Sequence, residues 1–234
     1  MNVIDDQSKS ILKTIEKFKG ALVKQKIDHS LVSFTSVTKA VSCALEIQEV
    51  FKPTLHPHLK LQIGLGAGVP VSEKEGFFED TIQTAKRLCD IVEGQVVLTS
   101  EVRELYESEN LSISGGEKYI TMLNASEEKF LNLLMDYMEQ QWNKTTLNAD
   151  DFTKCLGYSR SQLYRKMVSI TGKSPNNFIR EYRLSKALHL LNKRIENISE
   201  IAFETGFSSP AYFSKCFHDS FGILPSHYIK SFRP

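Results

Sequence analysis

The sequence predicts an α+β protein of two domains, an α/β sandwich over residues 1–124 and an all-helical domain over residues 125–234. Helix and strand patterns alternate up to Asn124, and no strand pattern follows it. The balance of charge also differs between the two parts of the chain. Residues 1–124 hold 14 Lys and Arg and 17 Asp and Glu, whereas residues 159–234 hold 12 Lys and Arg and 5 Asp and Glu. A chain of 234 residues with 41% hydrophobic content is long enough for two folded domains.

The N-terminal elements follow from hydrophobic spacing. Apolar residues at helical intervals predict helices over residues 11–23, 36–51 and 80–92. Alternating or continuous apolar runs predict strands over residues 29–34, 59–68 and 95–99. Residues 111–113 and 119–123 are predicted to form a hairpin around the Gly115-Gly116 pair.

The C-terminal half contains the same helical pattern twice. A helix over residues 149–156 is interrupted at Gly157, and Ser159 is placed to cap a second helix over residues 160–170. The pattern recurs with a helix from Ile198, a turn at Gly206, a cap at Ser208 and a helix over residues 210–221. We therefore predict two helix-turn-helix units.

One uninterrupted helix is predicted between these units, over residues 175–193. Its length is about 28 Å at about 1.5 Å per residue. Successive openings of the DNA major groove recur about every 34 Å on one face of the duplex. A rod of this length suits two helices that enter adjacent grooves.

The second helix of each unit turns polar and basic side chains outward. In the first unit these are Arg160, Ser161, Gln162, Arg165, Lys166 and Ser169. In the second unit they are Tyr212, Ser214, Lys215 and His218. Arg can donate two hydrogen bonds to guanine, and Gln can pair with adenine. The alternative for any one of these residues is a solvated helix face.

Residues 147–232 resemble the DNA-binding domain of the AraC/XylS family of transcription regulators. The resemblance rests on Ser159-Arg-Ser-Gln-Leu-Tyr-Arg-Lys, Gly172-x-Ser-Pro175, Arg183-Leu-x-x-Ala187, Ile198-x-x-Ile-Ala202, Gly206-Phe-x-Ser, Tyr212-Phe-Ser-Lys-x-Phe217 and Phe221-Gly-x-x-Pro225-Ser-x-Tyr228. It implies that the bases are faced by Ser161, Gln162, Arg165, Pro210, Ala211, Tyr212 and Lys215. We include the flanking residues Ser208 and Ser209 in the predicted DNA-binding set. The family commonly has Arg after its closing Tyr, whereas Ile229 follows Tyr228 here.

Residues 10–106 resemble a shortened class III nucleotide cyclase homology domain, which implies a ferredoxin-like fold. The resemblance rests on Asp28-x-x-Leu-Val-x-Phe34, Ala40-Val-x-x-Ala-Leu-x-Ile-Gln48, Leu61-x-Ile-Gly-Leu-x-Ala-Gly68, Ala85-x-Arg-Leu88 and Gly94-Gln-Val-Val-Leu-Thr-Ser100. Cyclases use two aspartates for two metal ions. Asp28 matches the second, and too few residues precede it to supply the first.

The same resemblance implies a candidate ligand site. It consists of Lys24, Asp28, Gln83 and Arg87, of which Gln83 departs from the family's Asn. The alternative interpretation is that these residues are surface charges. We expect no catalytic residue, no metal and no cofactor.

These observations together predict a bacterial, cytoplasmic transcription regulator that binds promoter DNA and is not an enzyme. The N-terminal domain is expected to sense a small-molecule or nucleotide effector, or to mediate homodimerisation, and RNA polymerase is an expected partner. The alternative is a nucleotide-binding or cyclase-type enzyme that DNA binding regulates. No apolar run is long enough for a membrane span, and the four scattered cysteines are expected to be reduced.

Overall fold

The computed structural model describes residues 2–25, 29–51, 61–68, 77–91, 96–109, 120–193 and 197–232. They form two compact units, residues 1–128 and 129–234. The predicted boundary after Asn124 falls where helix α5 begins, at Ala125, four residues before the division between the units. Each unit is described by itself below.

The N-terminal unit has mixed α/β structure. Its elements are α1 (Asn2–Lys17), β1 (Ala21–Gln25), β2 (Ser30–Ser33), α2 (Val37–Val50), β3 (Ile63–Leu65), α3 (Phe77–Ile91), β4 (Val96–Leu98), α4 (Ser100–Glu109) and β5 (Ile120–Met122). The helix predicted over 11–23 ends at Lys17, because the chain turns through Lys19 at a φ of 60° and then pairs as β1 with β2. Helix α4 was not predicted.

The described strands form two sheets. Strands β1 and β2 are antiparallel, whereas β3, β4 and β5 form a parallel sheet with β4 in the centre. All three residues of β4 are fully buried, which agrees with the continuous apolar run in the sequence. This topology does not confirm a cyclase-type arrangement. Residues 111–113 of the predicted hairpin lie outside the described residues.

Strand β3 packs closely against α3. A Cβ atom at Gly64 would lie 2.3 Å from the carbonyl oxygen of Ala85, so this position admits only glycine without a shift of the helix. The backbone of β3 therefore touches the backbone of α3. This contact fixes the helix that carries Gln83 and Arg87.

The C-terminal unit is all-helical in its described residues. Its elements are the part of α5 (Ala125–Gln141) from Lys129 onward, α6 (Ala149–Leu156), α7 (Arg160–Thr171), α8 (Pro175–Lys193), α9 (Ile198–Glu204), α10 (Pro210–Phe221) and α11 (Pro225–Phe232). The bounds predicted for α6, α8 and α10 are confirmed, and α7 is one residue longer than predicted. Helix α11 was not predicted.

The core around α9 and α10 is aromatic and apolar. Phe213 and Phe217 are fully buried, and the ring of Phe217 lies 4.6 Å from that of Phe221 and 5.9 Å from that of Tyr228 between centroids. Ala202 is also fully buried where α9 packs in this core. None of the helices in the described ranges has the length and apolar character to span a membrane.

Candidate nucleic-acid interface

The first helix-turn-helix unit consists of α6 and α7, which are joined by a short, well-defined turn. Asn148 accepts a hydrogen bond from the amide of Asp150, and the carboxylate of Asp151 accepts one from the amide of Asn148. Helix α6 ends at Gly157, which has a φ of 72° and donates its amide to the Thr153 carbonyl. Glycine suits this left-handed position because it has no Cβ.

Helix α7 begins with a reciprocal cap between Ser159 and Gln162. The amide of Gln162 donates to the Ser159 hydroxyl (3.3 Å), and the Gln162 side-chain oxygen accepts from the Ser159 amide (3.0 Å) and hydroxyl (2.9 Å). The predicted cap at Ser159 is confirmed. Gln162, expected as an adenine-reading residue, therefore already uses its oxygen, and its amide nitrogen is the group left to donate outward.

The outer face of α7 is exposed over its whole length. Leu163, Met167 and Ile170 form its buried face. Ser161 and Arg165 are exposed, and Arg165 donates from Nε to the Ser161 carbonyl (3.3 Å). Sequence reasoning missed Tyr164 and Val168, which are 53% and 38% exposed. Their spacing of three and seven residues from Ser161 was the signal that could have identified them.

Arg160 at the start of α7 is paired with a carboxylate of α6. Its Nε donates to Oδ1 of Asp150 at 2.5 Å, and a terminal nitrogen donates to Oδ2. This hydrogen bonding and the charge of Asp150 raise the pKa of Arg160. Arg160, one of the residues predicted to face outward on this helix, therefore has an intramolecular partner.

Lys166 lies over two aromatic rings. Its Nζ is 5.2 Å from the centroid of Phe130, on α5, and 5.6 Å from that of Tyr158, in the turn. The two rings meet edge to face at 5.6 Å. A cation over aromatic faces is attracted by their electron density. Lys166 thus joins α7 to α5, and it is only half-exposed, unlike Arg165.

The second unit consists of α9 and α10. Gly206 lies in the turn with a φ of 79°, and the amide of Phe207 donates to the Ala202 carbonyl. The cap was predicted at Ser208, but the Ser209 hydroxyl accepts from the amide of Tyr212 at 3.2 Å. The prediction is wrong by one residue because Pro210 is the first helical residue, so the preceding residue is the cap.

The N-terminal part of α10 also presents exposed side chains. Ser208, Ala211 and Lys215 are exposed, whereas Ser209 and Pro210 are half-buried. Tyr212 is 49% exposed, and its ring lies 6.0 Å from that of Phe207. A hydrogen bond with Cys216 raises the pKa of Tyr212, and Arg180 acts in the opposite direction. Tyr212 therefore keeps its hydroxyl proton at neutral pH.

Arg183 of α8 joins the two halves of the C-terminal unit. It is buried, its Nε donates to the Trp142 carbonyl (2.8 Å), and a terminal nitrogen donates to the Lys144 carbonyl (2.5 Å). A Cβ at Gly206 would lie 2.9 Å from the Arg183 Nε. Burial lowers the pKa of Arg183. The sequence motif contained Arg183 but did not reveal this role.

The candidate ligand residues that the structure describes lie on different elements of the N-terminal unit. Lys24 is exposed on β1, whereas Gln83 and Arg87 are half-buried on α3, which packs against the other sheet. Asp28 lies outside the described residues. Among the residues that the structure describes, no cluster of three or more His, Cys, Asp or Glu side chains could hold a metal ion.

Comparisons with known proteins match the C-terminal part of the chain. Residues 152–231 match the family described as "Helix-turn-helix domain". Histidine kinase P4 of Formosa agariphila is 37% identical over 106 residues, which cover 45% of this chain and 8% of that protein. The HTH-type transcriptional regulator MtrA of Neisseria gonorrhoeae is 33% identical over 97 residues, 42% of this chain and 31% of MtrA.

A solved structure is also similar to this part of the chain. It is a transcriptional regulator of Chromobacterium violaceum, described with AraC-type DNA-binding domain-containing proteins. It is 31% identical with a TM-score of 0.42, and the match covers 46% of this chain and 96% of that one.

These matches identify residues 152–231 as a helix-turn-helix domain, which confirms the helix-turn-helix part of the prediction. The chain spans less than two thirds of the length of the curated relatives that it matches.

Proposed function

We propose that this chain is a sequence-specific transcription regulator, which binds double-stranded promoter DNA through α7 and α10. The observation that carries the proposal is the repeated arrangement: each helix is capped by a serine and exposes polar and basic side chains near its start, and both pack on the 19-residue α8. The beginning of a recognition helix is the part that reaches base edges in this class of domain.

The proposed contacts divide into two groups. Ser161, Gln162, Arg165, Ala211, Tyr212 and Lys215, with Ser208, Ser209 and Pro210 beside them, are proposed to set register and sequence preference. Arg160 and Lys166 are proposed to contribute mainly through their positive charges. Arg160 also interacts with Asp150, and Lys166 also interacts with the ring of Phe130. The excess of Lys and Arg in residues 159–234 favours a polyanionic ligand.

An unbiased selection from random duplex DNA tests the proposal. The full-length protein, at moderate salt, is expected to enrich a sequence with two adjacent conserved segments, one for each unit. A variant with both Arg165 and Lys215 replaced by Ala is the control and is expected to enrich nothing. Equal retention of all sequences by the unmodified protein would contradict sequence-specific binding.

The N-terminal unit is proposed to sense a ligand or to pair two copies of the chain, as a cyclase-like domain without catalytic activity. Its mixed α/β structure supports a separate folded module. Sizing of the full chain over a range of concentrations tests pairing, and added nucleotides that raise the melting temperature would support a nucleotide effector. Nucleoside triphosphates with Mg²⁺ or Mn²⁺ are expected to yield no cyclic nucleotide above background.

We also propose that the protein acts in the cytoplasm and has RNA polymerase as a partner. A regulator that binds promoters in the cytoplasm acts on transcription by helping or blocking RNA polymerase, which is therefore the proposed protein partner. Transcription in vitro from the selected site, with and without the protein, tests this. An unchanged transcript yield at saturating protein would contradict it.

A further inference from the structure

The carboxylate of Asp150 is hydrogen-bonded to the edge of the Arg160 guanidinium that would bind another anion. The Arg160 Nε donates to one carboxylate oxygen of Asp150 and a terminal nitrogen donates to the other. Arginine binds a phosphate in the same two-pronged way, with two parallel N–H donors. Asp150 therefore holds the donor pair that a DNA phosphate would use.

The cap of α6 does not need this carboxylate. The Asn148 side chain accepts from the amide of Asp150, and the Asp151 carboxylate accepts from the amide of Asn148, so this cap uses neither carboxylate oxygen of Asp150. The pair is also exposed, with 77% of the Arg160 side chain and 41% of the Asp150 side chain accessible. Ion pairs in such positions contribute little to folding stability. The pair therefore has weak structural value at a position close to the proposed DNA surface.

We propose that Asp150 is an affinity-setting residue that competes with a DNA phosphate for Arg160. The inference rests on the proposed DNA-binding function. While the pair is closed, Arg160 brings no net charge to the interface and releases no counterion. For a phosphate to replace Asp150, the protein must expose a free carboxylate near the DNA, which keeps the pair closed in the complex. Asp150 thus lowers the affinity for any duplex and weakens its salt dependence.

The experiment compares Asp150→Asn, Arg160→Gln and the double variant with the unmodified protein. Binding to a random-sequence duplex of about 30 base pairs, long enough for two adjacent major-groove openings, is measured over a range of salt concentrations. Asp150→Asn is expected to tighten binding several-fold at low salt and to steepen the plot of log K against log salt by about 0.9, the value for one added phosphate contact. In the Arg160→Gln background, Asp150→Asn is expected to leave the slope unchanged.

Glu200→Gln is the matched control, because Glu200 is an exposed carboxylate in the first turn of α9, the corresponding helix of the second unit. It removes the same charge without releasing Arg160, so it is expected to leave the slope unchanged. An unchanged slope in Asp150→Asn, or an equal change in both backgrounds, would overturn the proposal. Weaker binding would also overturn it, since Asp150 would then be orienting Arg160 for DNA.

A second measurement does not depend on DNA binding. The Nε–H resonance of Arg160 is followed by NMR while inorganic phosphate is added to the full-length protein. The resonance is expected to shift at lower phosphate concentration in Asp150→Asn than in the unmodified protein. The same response in both would overturn the proposal. If this difference is found but no duplex is bound, the proposed function fails and the competition for Arg160 stands.

Discussion

The Nε of Arg183, in the middle of α8, donates to the main-chain carbonyl of Trp142, which lies 41 residues earlier in the chain, at a distance of 2.8 Å. A terminal nitrogen of the same guanidinium donates to the carbonyl of Lys144. One buried side chain thus holds the segment that precedes α6. The first helix-turn-helix unit therefore depends on α8 for its position as well as on its own packing.

Replacement of Arg183 by Lys is expected to destabilise the protein by about 2–4 kcal/mol. A single ammonium cannot reach both carbonyls in the fork geometry, and the loss of a hydrogen bond from a charged donor costs about 1.5–3 kcal/mol, in addition to the lost packing of the guanidinium. Urea unfolding monitored by circular dichroism measures the change. Lys215→Ala, at an exposed position of α10, is the control and is expected to stay within about 0.5 kcal/mol. Equal stability of Arg183→Lys and the unmodified protein would refute the role of Arg183.

Two substitutions of Gln162 separate its cap from its proposed contact with DNA. Gln162→Glu keeps an oxygen acceptor for the Ser159 amide, so unfolding is expected to change little. It places a negative charge beside the phosphates, so DNA affinity is expected to fall at least tenfold. Gln162→Ala is expected to lose about 0.5–1 kcal/mol of stability through the cap. Unaltered DNA binding by Gln162→Glu would remove Gln162 from the interface.

The adjacent serines before α10 provide an internally matched pair. Ser209→Ala is expected to destabilise the protein by about 1 kcal/mol, because the amide of Tyr212 loses its acceptor. Ser208→Ala, one residue earlier and exposed, is expected to change stability by less than about 0.5 kcal/mol. Thermal unfolding of both variants measures the two changes in stability. A larger loss of stability in Ser208→Ala than in Ser209→Ala would show that Ser208 is the cap, as the sequence predicted.

Arg165→Ala is expected to weaken binding to the selected DNA site by about 1–3 kcal/mol and to relax the preference at one base position. The side chain is exposed on α7, and its Nε makes only a 3.3 Å contact with the Ser161 carbonyl, so it is available to a base edge. Fluorescence anisotropy with the selected site and with single-base variants measures both effects. Arg103→Ala, in the N-terminal unit, is the charge-matched control. An equal loss on selected and random duplexes would show that Arg165 contacts the backbone alone.

The stability of the protein is expected to fall as the pH rises from about 9 to about 11. Burial raises the pKa of the Cys43 and Cys89 thiols from 9.0 to about 11. The unfolded chain therefore releases these protons first, and ionisation then favours unfolding. Urea unfolding at several pH values measures the decline.

The variant with Cys43 and Cys89 both replaced by Ala is expected to show a smaller decline over the same pH interval. Replacement of the exposed Cys155 by Ala is the control and is expected to preserve the decline of the unmodified protein. An identical decline in all three proteins would assign it to other groups.

The C-terminal helices were predictable because local signals determine their ends. Ser159, Gly157 and Gly222 mark helix boundaries by hydrogen bonding and by left-handed backbone conformations, which depend on neighbouring residues alone. The cap of α10 was the exception. Two serines precede Pro210, and only the position of the first helical residue decides which one is the cap.

Other features depended on contacts between distant residues. The apolar pattern around Leu22 continued the helical spacing of α1, but pairing with β2 determined a strand. The pairs Arg160–Asp150 and Lys166–Phe130 join residues 10 and 36 positions apart, and no local pattern indicates them. The exposed polar side chains of α7 could therefore be predicted as a set, whereas those that already bond within the protein could not be distinguished from the others.

The position of Gly206 limits how the C-terminal domain can be divided. A side chain there would meet both Arg183 and the carbonyl oxygen of Asn143, each at 2.9 Å from the added Cβ. The turn of the second unit is thus in contact with the segment that precedes the first. A fragment cut within α8 would leave each half with an incomplete interior, so neither unit is a module that protein engineering could transplant alone. Insertions or deletions in the segment before α6 would therefore disturb the turn before α10.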